Sequence, residues 1–509
     1  MSTRAQETSG IVDHPQGDPK LPSYVHPALK DVASDLAMMR DCWNLLRGVR
    51  GKYLPKEVKE PPQAYEGRLS RAKFPAYLRD GIQAFSGALS RFEVTAAPPT
   101  FEAALGNIDG EGQSLKSLLM RADQAAMRDG GCLLMVDMPP GRAESRADEL
   151  ALGRRPLLRF AERMMVRNWK VKRENGIEIP VAVTVLEWHE VEDRDGDYGI
   201  TMEPRYRVMR GGQWWLVRIK GASGNGKGSL AWQVEEVSKG VFEDAAGNPL
   251  QYPPVCWYSV SREGFGRGDL PFYALAEGSL DWFREYSDYK ELLHKTAMPV
   301  AVRKGAPIGP NGVPAPLVIG SNSVVDLQEG GSFEWAEVSG SSLERHEANL
   351  AQIEALIDRQ TLSFLFGGSG DRTATHAELE SAQLQATLTA IGEQKASMMQ
   401  TVMELWVGFT GERLEPGAGL VMAKGVVDRP VDPETLRLAK DLYDAGLLRR
   451  ASVTALEGRA GLLPQGVTPE AEALALEIED ELLNGETPGP ADPAVTGEDD
   501  GENQDQQTE

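Results

Sequence analysis

Two long helical segments separated by a short insert constrain the fold of this chain more than any other feature. The first is predicted over residues 271–298, because Asp269-Leu270-Pro271 can begin a helix and Pro299 ends it. The second is predicted over 342–366, where apolar residues recur at helical spacing. At 1.5 Å per residue the first helix would be about 40 Å long. The sequence therefore predicts two rods around one compact insert, 299–341, with strand-like segments at Val300–Arg303 and Leu317–Ile319.

Each predicted rod carries an acidic stripe along one side. At about 100° per residue, carboxylates repeat on one face of each helix. In the first rod they are Glu277, Asp281, Glu285, Asp288 and Glu291. In the second rod they are Glu344, Glu347, Glu354 and Asp358. Such a stripe is usually a solvated face, but its occurrence on both rods around one insert favours a shared role.

Residues 221–228, GASGNGKG, are similar to a phosphate loop, which requires G-x-x-x-x-G-K followed by Ser or Thr. Gly221, Gly226 and Lys227 match, but Gly228 occupies the place of the hydroxyl residue that would hold Mg²⁺. The flanking segments are aromatic and β-branched, whereas a phosphate loop leads into a helix. A hairpin tip is the favoured interpretation, and a nucleotide-binding enzyme is the alternative.

The charge distribution argues against tight binding of nucleic acid. The formal net charge is −22, and the segment from Ala460 onward has 14 acidic residues and no Lys or Arg. The rest still has 62 acidic against 54 basic residues. A groove that grips DNA would show a basic excess, so we expect DNA to be repelled and not held.

Cysteine and histidine usage predicts neither a disulfide framework nor a metal or cofactor site. Cys42, Cys132 and Cys256 are far apart, which is typical of buried thiols in a reducing compartment. The six histidines form no cluster with metal-ligand spacing. No stretch approaches the ~20 apolar residues of a membrane span, and the polar N-terminus does not look like a secretory signal.

The order of segments resembles the portal proteins of tailed double-stranded DNA bacteriophages. GSLDWFREYSDYKELLHKTAMPVAV resembles the helix that leads into the portal clip. SSLERHEANLAQIEALIDRQTLSFLFGG resembles the returning stem helix and the start of the tunnel loop. RDCWNLLRGVRGKYLP and YEGRLSRAKF are similar to one large portal subgroup, and DLYDAGLLRRASVTALEGRAGLL is similar to its crown helices. The resemblance spans roughly residues 24–482 and lies in this order of segments, since none is a catalytic signature.

For the fold, the resemblance implies an α+β chain with a mixed α/β wing, two long stem helices bracketing a small α/β clip, and a helical crown. The implied divisions are a flexible N-terminal arm (1–23), the wing (24–270, β-rich over about 157–258), the first stem helix (271–298), the clip (299–341), the second stem helix (342–366), the tunnel loop (367–375), a long wing helix and connection (376–430), the crown (431–482) and a disordered acidic tail (483–509). The tail is not a defining feature of the family.

For function, the resemblance implies a non-enzymatic ring, commonly of twelve subunits, at one vertex of the virion capsid. Its channel would pass double-stranded DNA during packaging and ejection without binding it tightly. The implied partners are the terminase large subunit, a head–tail connector or adaptor protein, and the major capsid and scaffolding proteins, with assembly in the host cytoplasm. A β-rich phage tail or baseplate protein is a further alternative.

Within such a channel, the two acidic stripes would be the lining. We favour the first rod for this role, because its carboxylates form the longer run and its opposite face is densely aromatic, which suits burial against the second rod. The tunnel loop would project towards DNA, with Arg372 as its one basic residue and a candidate phosphate contact. The loop residues are Gly367, Gly368, Ser369, Gly370, Asp371, Arg372 and Thr373.

Overall fold

The computed structural model describes most of the chain in segments separated by gaps. The described residues are 14–139, 153–192, 198–222, 231–261, 263–296, 300–308, 312–314, 325–336, 341–360, 374–422, 433–445, 447–459, 471–472 and 474–476. They belong to two compact units, Met1–Val426 and Val427–Glu509. Helices and antiparallel sheets occur together, so the fold class is α+β, as predicted.

Residues 14–139 contain the first seven helices. They are α1 (Pro27–Asp31), α2 (Ala33–Trp43), α3 (Arg50–Tyr53), α4 (Pro62–Arg71), α5 (Tyr77–Leu89), α6 (Pro99–Ala104) and α7 (Leu115–Asp129). Local sequence sets the bounds of α7. The Ser114 hydroxyl accepts a hydrogen bond from Ser117 N at 3.3 Å at its start. Gly130 ends it with φ at +77°, a left-handed conformation that favours glycine.

The described strands form four antiparallel sheets. The strands are β1 (Phe92–Thr95), β2 (Cys132–Asp137), β3 (Leu157–Glu162), β4 (Val166–Glu174), β5 (Ile177–Glu192), β6 (Ile200–Arg210), β7 (Gln213–Ala222), β8 (Ala231–Val241), β9 (Val255–Tyr258), β10 (Val300–Lys304), β11 (Ser332–Ala336) and β12 (Gly419–Met422). β4 to β8 pair in chain order as a five-stranded sheet, and β2 lies between β3 and β9. The two-stranded sheets are β1–β12 and β10–β11. The β-rich segment predicted over 157–258 therefore contains β3 to β9.

Three long helices come after β9. They are α8 (Tyr273–Thr296), α9 (Ser341–Gln360) and α10 (Ala374–Thr410). α8 and α9 are the first and second rods of the sequence analysis, and residues 361–366 of the second prediction lie outside the described residues. Between the rods, the predicted strand Val300–Arg303 is confirmed as β10, and it pairs with β11. The other strand-like segment, Leu317–Ile319, also lies outside the described residues.

One hydrophobic core joins α7, the β3-β2-β9 sheet, the five-stranded sheet and α10. β2 is buried from Cys132 to Val136, which fits its unbroken apolar run at the centre of a sheet. On α10, Trp406 is fully buried and meets the ring of Phe101 edge-on at a centroid distance of 4.9 Å. Aromatic pairs of this kind add to the gain from area burial.

The start of the described chain lies against the five-stranded sheet. His14 Nδ1 is 2.9 Å from the Tyr206 hydroxyl, and the His14 ring meets the ring of Trp232 edge-on. The Ser23 hydroxyl donates to Pro15 O at 2.5 Å. Residues 14–23 of the predicted N-terminal arm thus have defined contacts, while residues 1–13 lie outside the described part.

The second unit contributes the helical pair α11 (Pro433–Asp444) and α12 (Arg450–Arg459), which pack against each other. A helical crown was implied over 431–482, and both helices lie in that range, while Gly446 and the acidic tail from 483 lie outside the described residues. In the described part of the chain, no helix has both the length and the apolar character needed to cross a bilayer.

Candidate functional site: the two long helices

The two rods pack against each other in antiparallel fashion. The Tyr289 hydroxyl donates to Glu347 Oε1 at 2.9 Å, and Trp282 Nε1 donates to Glu354 Oε1 at 2.9 Å. The later residue of α8 therefore contacts the earlier residue of α9, as expected for antiparallel helices. Ile357 is buried in the seam opposite Gly278, where an added Cβ would come within 3.4 Å of the isoleucine side chain. The small residue allows the helices to approach closely.

Part of the apolar side of α8 packs on the N-terminal helical region rather than on α9. Phe283 is fully buried and meets Phe74 edge-on at 5.7 Å, and Phe272 meets Phe85 of α5 at 5.1 Å. α8 therefore lies between the N-terminal helices on one side and α9 on another. The aromatic side chains of the first rod are thus shared, since Trp282 and Tyr289 contact the second rod whereas Phe283 packs on the N-terminal region.

The acidic stripe of α8 divides into exposed and engaged carboxylates. Glu277 and Asp281 are exposed. Glu285 Oε1 lies 2.5 Å from His346 Nδ1 of α9, and Glu291 pairs with Arg71 of α4. The two ends of the stripe thus differ, since one is open to solvent and the other is tied to neighbouring helices.

Asp288, in the same stripe, lies at the surface but in a crowded acidic environment. Partial desolvation raises the pKa of its carboxyl, and the nearby carboxylates of Glu285 and Glu57 raise it further, while Arg68 opposes them. Arg68 is itself bound to Glu60 through two hydrogen bonds of 2.8 and 2.9 Å. The stripe is therefore a region where added negative charge is unfavourable.

Two carboxylates of the acidic stripe of α9 accept hydrogen bonds from neighbouring helices. Glu347 and Glu354 accept hydrogen bonds from aromatic donors of α8, and the Tyr77 hydroxyl of α5 also donates to Glu354 at 3.4 Å. Burial, with the charges of Glu354 and Asp358, raises the pKa of Tyr77 to about 12. Glu344 and Asp358 are exposed.

The predicted tunnel loop, Gly367 to Thr373, lies outside the described residues, which end at Gln360 and resume at Ala374. The assignment of Arg372 as a phosphate contact stays a prediction. The assignment of either acidic stripe to a channel wall likewise stays a prediction, because a wall is formed by several subunits.

The glycine-rich segment 221–228 has the flanks of a hairpin. β7 and β8 pair antiparallel along their length, up to Ala222 opposite Ala231. The segment therefore leads into a strand, whereas a phosphate loop leads into the N-terminus of a helix. The acidic segment 193–197 is flanked in the same way by β5 and β6, paired up to Glu192 opposite Ile200.

A buried charge cluster that no sequence pattern indicates links α7, α10 and β9. Lys395 Nζ donates to Asp123 Oδ2 at 2.6 Å and to Leu89 O at 2.9 Å, and both charged side chains are fully buried. The Tyr258 hydroxyl donates to Asp123 Oδ1 at 2.8 Å. Burial raises the pKa of Asp123 to about 6, and Lys395 opposes this shift. No local pattern signals this pair, because 272 residues separate its members.

A second buried cluster surrounds Asp129 at the end of α7. Arg128 Nη2 lies 2.5 Å and Arg40 Nη2 lies 3.3 Å from its carboxylate, and both arginines also contact Glu162 of β3. Burial alone would raise the pKa of Asp129, but Arg128 and Arg40 outweigh it and lower the pKa to about 2. Arg163 Nη1 donates to the carbonyls of Asp129 and Gly268. These contacts fix the packing of the first unit.

The three cysteines are free thiols, as predicted. Burial raises the pKa of Cys42 and of Cys256 to about 12 and that of Cys132 well above its usual value. Such thiols stay protonated and unreactive at neutral pH. Among the described residues, no group of His, Cys, Asp and Glu has the geometry of a metal site.

One family model matches part of the chain, and several solved structures are similar to it. The model, described as a domain of unknown function (DUF4055), matches residues 271–410. That range begins just before α8 and ends with α10, so it contains both rods, the paired strands β10 and β11, and the third long helix. No curated protein gives a significant match.

The similar structures come from gene transfer agent (GTA) particles. One is the neck of an empty GTA particle computed with C6 symmetry, at 16% identity, covering 81% of this chain and 96% of that chain, with a TM-score of 0.37. Another is the virion of a native GTA particle, at 15% identity, covering 86% and 98%, with a TM-score of 0.37. A third is the neck of a native GTA particle computed with C12 symmetry, at 15% identity, covering 84% and 95%, with a TM-score of 0.37.

Proposed function

We propose that this chain is the subunit of a phage portal, a ring-shaped channel for DNA packaging and ejection at one capsid vertex. The observation that supports this most directly is the antiparallel pair α8–α9, connected through the β10–β11 hairpin and carrying an exposed acidic face. This is the arrangement that the resemblance over residues 24–482 implies for a stem and a clip. The ring, its channel and its partners are parts of this proposal.

The acidic face suits a wall that DNA must pass without sticking. Glu277 and Asp281 are exposed on α8 and are repeated in every copy of a ring. Repulsion between such carboxylates and phosphates is screened beyond roughly 8 Å at physiological salt. DNA at the centre of the channel would feel a weak field, and DNA near the wall would be pushed away.

Exposed apolar side chains supply a reason for the subunit to associate. Leu356 of α9 is 56% exposed, and Trp335 of β11 is 47% exposed. Two-stranded ribbons such as β10–β11 are also marginal when isolated. Copies arranged around an axis would cover these groups with neighbouring chains, because a head-to-tail contact closes into a ring when its rotation allows.

The resemblance implies a division of roles, in which a separate terminase motor docks on the clip and hydrolyses ATP while this chain forms the channel. A connector protein would later occupy the same end, and capsid and scaffolding proteins would surround the ring in the virion. The hairpin context of Lys227 supports this division, because it lacks the helix that a phosphate loop requires.

Native mass spectrometry of the purified chain, together with class-averaged electron micrographs, tests this proposal. We expect a closed ring near twelve copies with a central channel. A stable monomer at micromolar concentration would refute the ring. A trimer or hexamer without an axial channel would favour the tail or baseplate alternative instead. ATP binding at micromolar levels that is lost in Lys227→Ala would favour the nucleotide alternative.

A further inference from the structure

Both outer strands of the five-stranded sheet have an open edge. β4 and β8 are the outermost strands, and the described part of the chain supplies no further strand beside either of them. His26 N donates to Arg167 O at 2.8 Å, so the N-terminal region covers the beginning of β4. The open part of β4 is therefore Lys170 to Glu174, whereas β8 is open along its length. Open strand edges favour pairing with a further strand.

Each open edge exposes a valine side chain between polar neighbours. On β4, Val171 is 40% exposed, and the positions from Lys170 to Arg173 are all exposed. On β8, Val234 is 47% exposed, although Ile219, its cross-strand neighbour on β7, is buried. The apolar surface around Ile219 thus ends at an uncovered edge, and a further strand would complete it.

The two edges match in direction and in face. Four antiparallel pairings connect β4 with β8, so these two strands run in the same direction. Lys172 and Glu236 also lie on one face of the sheet, because directly opposite residues share a face and so do alternate residues of one strand. The residues that connect them on this face are Asn168, Thr184, Val208, Tyr206 and Val217. A rotated copy that continues the sheet would therefore present its β8 parallel to β4, with the same face aligned.

Pairing of either edge with the same edge of another copy would bring like charges together. The exposed positions 233–238 of β8 include two acidic residues and no basic one, whereas the exposed positions 170–173 of β4 include three basic residues and no acidic one. They are Glu235 and Glu236 on β8, and Lys170, Lys172 and Arg173 on β4. Opposite charges on neighbouring strands are stabilising, and like charges are destabilising. The charges therefore favour β4 paired with β8 of another copy over β4–β4 or β8–β8 pairing.

One register of a parallel β4–β8 pair aligns these charges. With Lys172 opposite Glu236, a cation meets a carboxylate on the shared face. In that register Lys170 lies opposite Val234, and the aliphatic stem of the lysine can cover the valine. On the other face, Arg173 becomes a diagonal neighbour of the remaining β8 carboxylate, a separation that a long side chain can bridge.

The charged groups of both edges have partners within the subunit, but at exposed positions. Lys172 Nζ lies 2.7 Å from a carboxylate oxygen of Glu174, and Lys239 Nζ lies 3.1 Å from one of Glu236. Exposed ion pairs contribute little to stability. A neighbouring strand can therefore compete for these side chains.

We propose that β4 of one subunit and β8 of the next pair as parallel strands, which joins the five-stranded sheets of successive copies. The partner is a second copy of this chain. The two strands that meet are different, so the contact is head-to-tail, the kind that closes into a ring when its rotation allows. Main-chain hydrogen bonds supply the binding, and the charged pairs select the partner edge. This inference rests on the proposed ring, of which it names one contact.

Zero-length carbodiimide cross-linking of the full chain tests this pairing, because the reagent joins a lysine only to a carboxylate in contact with it. Within one subunit β4 and β8 are four strands apart, or about 19 Å, so a product that joins a β4 lysine to a β8 carboxylate comes from two copies. We expect peptide mass spectrometry to identify this product. The internal control is Lys220 with Glu235, whose charged atoms are 2.6 Å apart within one subunit and should react in any oligomeric state.

The outcomes separate the strand pairing from the proposed ring. A closed ring in native mass spectrometry without the β4–β8 product would overturn the strand pairing and leave the ring intact. The β4–β8 product in an open chain of copies would support the pairing and overturn the ring. A stable monomer at micromolar concentration would overturn both.

A charge exchange between the two edges provides a second readout. Glu235→Lys/Glu236→Lys should raise the subunit concentration at which half of the assembly dissociates by on the order of tenfold, because favourable contacts at each interface become repulsive. Lys172→Glu/Arg173→Glu should have the same effect, and all four residues are exposed, so the subunit should stay folded. The chain with all four changes restores both the net charge and the match of the edges, so its assembly should recover. A fourfold variant that assembles no better than either double variant would contradict the proposal.

Discussion

Replacing Lys395 with methionine should strongly destabilise the first unit, although the change is far from either rod. Lys395 and Asp123 are both fully buried, and their charged atoms are 2.6 Å apart. Lys395→Met keeps most of the side-chain volume but leaves the Asp123 carboxylate with Tyr258 as its remaining donor. Breaking a buried pair by removing one partner costs about 3–5 kcal/mol. For a unit of roughly 400 residues, that lowers Tm by about 4–6 °C.

The loss of stability in Lys395→Met should depend on pH, because the pKa of Asp123 differs from its usual value. Burial raises the pKa of Asp123 to about 6 even beside Lys395, so removal of the lysine raises it further. A carboxyl whose folded-state pKa is raised favours the folded state when it is protonated. The deficit of the variant should therefore be larger at pH 7.5 than at pH 5.5, because it shrinks as pH falls from the raised pKa of the variant to about 6 and levels off below that value.

Thermal unfolding followed by tryptophan fluorescence at pH 7.5 and pH 5.5 measures both effects. The double variant Lys395→Met/Asp123→Asn removes both charges and keeps an acceptor for Tyr258, so it should recover at least half of the lost stability. Lys116→Met, at an exposed position of the same helix as Asp123, should change Tm by less than 1 °C. A decrease in Tm of less than about 1 °C for Lys395→Met, or an equal decrease at both pH values, would refute the reasoning.

Three further predictions concern the stem, the backbone and the tail. The double variant Glu277→Lys/Asp281→Lys should leave the subunit folded, since both residues are exposed, but should slow DNA packaging or ejection in low salt. Normal rates of packaging and ejection in low salt would show that this face does not line the channel. Gly130→Ala should abolish soluble expression, because a Cβ there would lie 2.6 Å from two carbonyl oxygens. Gly87→Ala is the control, because Gly87 lies inside a helix with open space around it, and this change should be neutral or stabilising by about 1 kcal/mol. Limited proteolysis should remove residues from about 484 onward without dissociating the oligomer, since that segment lacks the apolar content to offset ordering entropy, and protection of the tail would contradict this.

Periodicity predicted the rods well, because an amphipathic helix is encoded in neighbouring residues. The first rod was predicted over 271–298 and is α8, Tyr273–Thr296. The hairpin after Ala222 was predicted for the same reason, from β-branched and aromatic segments on both sides of a polar tip. In each case the signal is local, so one window of sequence contains it.

Partners that are distant in the chain could not be predicted in this way. The strand that pairs with β10 is β11, which begins only at Ser332 and has no signal that points back to Val300–Arg303. Lys395 looks like an ordinary polar position on a long helix, and only the approach of α7 makes it a buried cation. The division of the α8 stripe has the same origin, because Arg71 and His346 reach Glu291 and Glu285 from other elements.

The wide separation of Asp123 and Lys395 has a consequence for the order of synthesis. At about 5–20 residues per second, the ribosome needs roughly 15–50 s to add the 272 residues between them. The strand β1 remains unpaired for a longer time, because its partner β12 begins only at Gly419. During that interval the carboxylate has no cation and α7 has no α10 to cover it, so the first unit cannot close while it is being translated. A chain released early would therefore present an incomplete core.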